Sequence, residues 1–249
     1  SLSKFKKSLF SNLKALFWAL IIAGFIRSFI AEPFKIPSGS MKPNLLVGDF
    51  LFVSKWDYGY SRYSFPFGLP FFEGKFFEKL PQRGDIIVFK LPTKESINYV
   101  KRLVALPGET IKVLDGMIYI KNKNSDEFIA FTQKEIEPFY DDQYDTNIMR
   151  LKENNSNIEY EILNLSNSAM LDNTNEFLVP EDHYFFMGDN RDNSSDSRDT
   201  RNTVGFVPKE NIIGKVRFIF LSIDTDFKLL KIYTIFNHLR YERFFKKIL

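Results

Sequence analysis

The hydrophobic pattern divides the chain into one long apolar segment near the N-terminus and, after it, short alternating runs. From Leu9 to Ile30 the residues are apolar except for Ser11, Asn12, Lys14, Arg27 and Ser28. The uninterrupted centre, Ala15 to Ile26, is twelve residues, short of the roughly 20 that a bilayer span needs. Lys14 and Arg27 stand near the ends, where long cationic side chains reach the headgroups. With them the segment predicts one transmembrane anchor over 9–31. Lys4, Lys6 and Lys7 precede it, which predicts a cytoplasmic N-terminus (1–8) and a remainder that crosses. A cleaved leader shares this layout, with the small residues Ser28 and Ala31 at its end.

After Pro33 the pattern becomes that of strands. Runs rich in β-branched and aromatic residues recur between turn signals: Asp49–Val53, Asp85–Phe89, Tyr99–Ala105, Thr110–Leu114, Met117–Ile120, Tyr184–Met187 and Ile212–Phe220. The pairs Gly48-Asp49, Gly84-Asp85 and Gly188-Asp189 mark turns beside them. Residues 122–175 differ, with ten Asn and no Gly. Ile158–Leu163 is the best strand candidate there, and the segment reads as a loop-rich lobe inserted between two parts of a β core, 32–121 and 176–222. Tyr58 to Phe77 is a Phe-rich loop that either packs into the core or touches the membrane. The tail, 223–249, reads as a basic amphipathic helix, either lying on an anionic membrane surface or packed on the domain.

Composition narrows the chemistry. With 34 basic and 31 acidic residues the net charge is only +3, too balanced to indicate nucleic acid. There is no Cys, which excludes a disulfide scaffold, a thiol protease and a Cys-ligated metal. His183 and His238 are the only histidines, so a His-based triad or a multi-His metal site has almost no candidates.

Three segments carry candidate chemistry. Pro37-Ser38-Gly39-Ser40-Met41-Lys42-Pro43 is a proline-fenced turn that presents hydroxyls beside a flexible glycine. In the strand around Asn98-Tyr99-Val100-Lys101-Arg102-Leu103, alternation places Lys101 on a face with Tyr99, Leu103 and Ala105. Burial there disfavours the ammonium form and lowers its pKa, and a neutral lysine can act as a general base. An edge-strand lysine whose head reaches water is the alternative. Gly188 to Arg198, G-D-N-R-D-N-S-S-D-S-R, is dense in turn formers and opposite charges. It fails as a calcium loop, because the sixth and twelfth positions counted from Asp192 are Ser197 and Thr203.

Together, P-S-G-S-M, R-G-D-I-I-V-F, Y-V-K-R-L-V-A-L-P-G-E and M-G-D-N-R-D-N-S-S-D-S-R, in this order behind one anchor, resemble the bacterial type I signal peptidases over Glu32 to Lys215, apart from the insertion. The resemblance implies a mainly β fold, with an antiparallel β-sheet catalytic core behind the N-terminal helix. It implies a serine endopeptidase without a cofactor that trims leader peptides from exported preproteins. Ser40 matches the nucleophile and Lys101 the general base. Ser38, with the Ser40 backbone N–H, matches the oxyanion hole, and Ser194 matches the hydroxyl that orients the lysine. Asp196 and Arg198 match an ion pair behind the site. Phe34, Ile36, Met41, Leu45, Tyr99 and Val100 match the walls of two shallow pockets for small side chains before the cut. It further implies a bacterial inner-membrane location with the catalytic domain on the periplasmic side, contact with membrane lipid, and work beside the secretion translocon. Departures are Asn44, where the family commonly has Thr, and Asp199-Thr200-Arg201-Asn202 after the third motif.

A penicillin-recognising Ser/Lys acyltransferase needs S-x-x-K on a helix, and here that spacing occurs only at Ser1–Lys4, Ser3–Lys6 and Ser11–Lys14. An inactive homologue that binds leader peptides is the non-enzyme alternative; it predicts a broken dyad.

Overall fold

The computed structural model describes residues 2–64, 74–166, 168–199, 204–227 and 229–248. It opens with a helix, α1 (Leu2–Phe25), continued by one wider turn over Ile26–Ile30. The apolar stretch Phe10–Phe29 is 20 residues long, about 30 Å of helix at 1.5 Å per residue, which matches a bilayer core. Its large side chains, among them Phe10, Leu16, Trp18, Ile22 and Phe25, face outward. At the exit, Arg27 pairs with Glu32 (2.7 Å), Glu32 with buried Lys55 (3.0 Å), and Tyr60 Oη donates to Phe29 O (2.7 Å).

The strands are β1 (Ala31–Lys35), β2 (Asp49–Ser54), β3 (Ile86–Leu91), β4 (Lys94–Ala105), β5 (Thr110–Leu114), β6 (Met117–Lys121), β7 (Ile129–Ala130), β8 (Thr132–Asp141), β9 (Thr146–Asn154), β10 (Glu159–Asn164), β11 (Phe177–Leu178), β12 (His183–Met187), β13 (Val207–Pro208), β14 (Ile212–Ser222) and β15 (Lys246–Lys247). The main sheet runs β1-β2-β14-β3-β4-β12-β13, with β15 added to β14, and its pairings are antiparallel. Smaller antiparallel sheets are β10-β9-β8 and β11-β5-β6-β7. The fold is therefore mostly β, as the alternating runs predict.

Alternation along β3 and β4 sorts the core into two sides. Ile86 and Val88 join Phe34, Ile36, Met41, Leu45, Leu51 and Val53 in one cluster, with Val100 packed against it. Ile87, Phe89 and Leu103 join Tyr184 and Phe186 in a second, with Tyr99 against it. Each such buried Leu, Ile or Phe contributes roughly 1.5–3 kcal/mol. Lys101 lies opposite Ile87 in the ladder, so the pleat that buries Ile87 and Leu103 carries the lysine inward with them.

Two expectations need correction, and one strand was not expected. Residues 122–175 are not loop-rich: they contain β7 to β10, and β8, β9 and β10 form a sheet of their own. Most β8 positions are polar and exposed or half-exposed, so the strand shows no clean apolar alternation. The tail is not one amphipathic α-helix. It comprises 3-10 turns at Leu229–His238 and Tyr241–Arg243, then β15, which pairs with β14. Finally, β1 passes through Pro33, which conceals an edge strand from the sequence pattern. Of the Phe-rich loop, residues 65–73 lie outside the described residues, as do Thr200, Arg201 and Asn202. The ends of that loop meet at a Tyr60–Phe76 bridge.

Candidate active site

The Ser40 turn hangs between β1 and β2 and is held from below by backbone hydrogen bonds. Ile36 N–H donates to Asp49 O, Gly48 N–H to Ile36 O, and Leu45 N–H to Met41 O, at 2.8, 3.0 and 2.9 Å. Asn190 reaches both of its central carbonyls, donating its backbone N–H to Ser40 O and its Nδ2 to Gly39 O, both at 3.0 Å, and Gly39 O also accepts the Lys42 N–H (3.1 Å). Among the described residues no group accepts the Ser40 N–H. Ser38 Oγ lies 3.4 Å from Ser40 Oγ. A hydroxyl and an amide with no acceptor among the described residues therefore lie beside the half-exposed Ser40 side chain.

Lys101 reaches this turn from β4. It is only 3% exposed, and its Nζ is in hydrogen-bond contact with Ser40 Oγ. Burial lowers its pKa from 10.5 to about 8; the carboxylates of Asp196 and Asp189 act against that shift, and Arg198 reinforces it. The Tyr99 ring lies beside Lys101, its centroid 5.5 Å from Nζ. The edge-strand alternative, a lysine with its head in water, does not describe this residue.

The third motif wraps behind the pair. Arg198 grips Asp196 with two bonds of 2.9 Å, and Asp196 also accepts the Gly188 N–H (3.0 Å). Burial alone would raise the Asp196 carboxyl, but Arg198 holds it below its ordinary value. Gly188 has no room for a side chain: a Cβ there would sit 2.3 Å from Ser194 Oγ and 2.6 Å from Ser40 O. Ser194 thus lies beside the turn, but it makes no hydrogen bond to Lys101. Its Oγ is buried and has no hydrogen-bond partner among the described residues.

Five of the six expected pocket residues come together: Phe34, Ile36, Met41 and Leu45 in one buried cluster with Val100 at its margin. Tyr99 stands on the opposite face of β4, against the second cluster. His183, on β12, contacts Glu181 O through Nδ1 (2.8 Å).

The sequence reading missed the braces that link the inserted lobe to this turn. Arg102 forms a buried two-bond pair with Asp189 (2.7 and 2.8 Å) and stacks 3.9 Å above Tyr160 of β10. Arg191 pairs with Glu153 of β9, and Leu163 N–H donates to Asp189 O (2.9 Å). Asn44 Nδ2 bridges Glu161 O and Asp189 (2.7 Å each). Lys42 Nζ meets both carboxylate oxygens of Asp141 at 2.7 and 2.8 Å. Arg102 and Arg191 lie inside the recognised motifs, which was the available signal; nothing in the sequence marked their lobe partners. Among the described residues no cluster of His, Cys, Asp and Glu suits a metal ion.

The family model described as signal peptidase, peptidase S26, matches residues 9–221. A signal peptidase I of Rickettsia typhi is 39% identical over 229 residues, covering 88% of this chain and 83% of the relative. One of Rickettsia felis is 40% identical over 214 residues, covering 82% and 77%. A crystal structure of a signal peptidase I from Enterococcus faecalis V583 is 28% identical and covers 55% of this chain and 97% of its own, with a TM-score of 0.33. That superposition is too poor to support the fold, which rests on the strand pairings themselves.

Proposed function

The chain belongs to the signal peptidase family, peptidase S26, and we propose that it is a membrane-anchored serine endopeptidase cutting leader peptides from exported preproteins with a Ser40/Lys101 dyad. The observation that most supports this is the buried Lys101 amine in contact with Ser40 Oγ. In the neutral form, Lys101 Nζ takes the Ser40 proton as Oγ attacks the scissile carbonyl. Ser38 Oγ and the Ser40 N–H receive the developing oxyanion. As the tetrahedral intermediate collapses, Lys101 returns the proton to the departing amine, the new N-terminus of the mature protein. Lys101 Nζ then takes a proton from water as it attacks the acyl carbonyl, and passes that proton to Ser40 Oγ as the acyl–oxygen bond breaks, which releases the leader and restores the dyad.

Ser194 is assigned the orienting role: its buried, unpartnered hydroxyl beside Ser40 can receive the amine once it leaves Oγ. Asp196 and Arg198 hold the loop that carries it. Phe34, Ile36, Met41, Leu45 and Val100, with Tyr99 at the dyad, are assigned to pockets whose shallowness selects small side chains at the first and third positions before the cut. The apolar helix over Phe10–Phe29 and the bacterial relatives fit anchoring in the inner membrane. The cationic N-terminal flank favours a periplasmic catalytic domain, placing it beside membrane lipid and the translocon. Nothing supports the alternative of an inactive homologue.

The test is incubation of the full chain in detergent micelles with a preprotein carrying Ala at the first and third positions before its expected cut. Mass spectrometry should find a single cut after the small residue, absent with Ser40→Ala. Uncut preprotein, or product with Ser40→Ala, would overturn the reading.

A further inference from the structure

Lys42 stands two residues after Ser40 in the same turn. A lysine this close to the nucleophile is a potential competitor for the role of base, yet its side chain runs the other way. Its stem lies against Gly39, where a Cβ would come within 3.1 Å of Lys42 Cε, and its Nζ ends on Asp141. Asp141 is fully buried and closes the hairpin between β8 and β9, where it also accepts the Gln143 N–H (2.9 Å). A buried ammonium and carboxylate bonded at both oxygens tolerate little displacement, because separating them strands two charges away from water. The tip of the inserted lobe is thereby tied to the segment that carries Ser40.

We propose that Asp141 is a positioning residue: through Lys42 it fixes the Ser40 turn, making the inserted lobe a working part of the active site. The inference rests on Ser40 being the nucleophile. Asn190 holds the turn by its carbonyls, and the Lys42–Asp141 pair holds it by a side chain. Small displacements of a nucleophile are costly: about 1 Å corresponds to roughly 10²-fold in rate. Lys42 Nζ gives its hydrogen bonds to Asp141 and none to an assigned pocket residue, so the loss of the pair should act on kcat more than on KM.

The experiment measures kcat, KM and thermal unfolding of the full chain in detergent, with a peptide substrate carrying Ala at the first and third positions before the cut. Asp141→Asn should lower kcat by about 10- to 100-fold with KM within about 2-fold, and Asp141→Glu should recover part of it. The double change Lys42→Met/Asp141→Leu removes both charges; it should unfold near the wild-type temperature while kcat stays low. If Asp141→Asn does not fold, this double variant carries the same test. Wild-type kcat in folded Asp141→Asn, or in the double variant, would reduce the pair to a structural brace and overturn the proposal. Ser40→Ala in parallel separates the two readings. Turnover there overturns the nucleophile assignment, whereas an inactive Ser40→Ala beside fully active Asp141→Asn overturns the role of the lobe alone.

Discussion

Replacing Lys101 with Met should stabilise the protein while abolishing its activity. The fold lowers the pKa of Lys101 from 10.5 to about 8, mainly by burying it. At 1.36 kcal/mol per pH unit, holding the protonated amine in the fold costs about 3 kcal/mol. The unfolded chain binds this proton more tightly, so stability rises with pH between about 8 and 10.5 and the full penalty applies below about 8. Methionine keeps most of the stem and carries no charge. Ser40 is half-exposed, so its hydroxyl can turn to water when the amine is lost. Lys101→Met should gain about 1–3 kcal/mol at pH 7, or roughly 3–10 °C in Tm for a chain of this size. The assay is thermal unfolding of both full chains in detergent from about pH 6 to 10. The gap should be widest below about pH 8 and narrow above it. A Lys101→Met variant less stable at pH 7, or a gap that ignores pH, would refute the account of this lysine.

Other outcomes follow from the same geometry. For the wild type, kcat/KM for peptide cleavage should rise with pH through about 8 and then level off; a profile flat from about pH 6 to 10 would remove the titrating lysine from the mechanism. Gly188→Ala forces a methyl group against Ser194 Oγ and Ser40 O and should lower kcat about 10²-fold in a protein that still folds, checked by kinetics beside circular dichroism. Arg243→Met removes the two-bond partner of fully buried Asp49 (3.0 and 2.6 Å) and should cost about 3 kcal/mol in denaturant unfolding, though Arg240 at 3.6 Å retains some compensation.

The parts of the fold that were legible are those where one face is buried and the other is not. β4 shows this in its second half, where alternation alone puts Lys101 on a face with Tyr99, Leu103 and Ala105, and the ladder adds Ile87. β1 and β8 were illegible for local reasons: a proline in β1, and polar residues on both faces of β8. The meeting of Ser40 and Lys101 was legible because each sits in a distinctive string. The braces were not, since Lys42 and Asp141 are 99 residues apart, and an Asp in the run Asp141-Asp142-Gln143-Tyr144-Asp145 reads like any solvated turn. The tail misled for a related reason. Arg240 and Arg243 look like a membrane-facing basic stripe, but they turn inward to Val47 O, Asn44 O and Asp49. Ser194 was placed beside the site, yet the bond expected from it to Lys101 is not made.

The central claim, that Ser40 and Lys101 act as one catalytic unit, is tested most directly by turnover of Ser40→Ala, Lys101→Ala and the double variant against one preprotein under one set of conditions. Groups that work as a unit lose everything when either is removed. All three should fall by about 10³-fold or more to a common floor. Near-normal turnover in either single variant, or a double variant far below both singles, would contradict it.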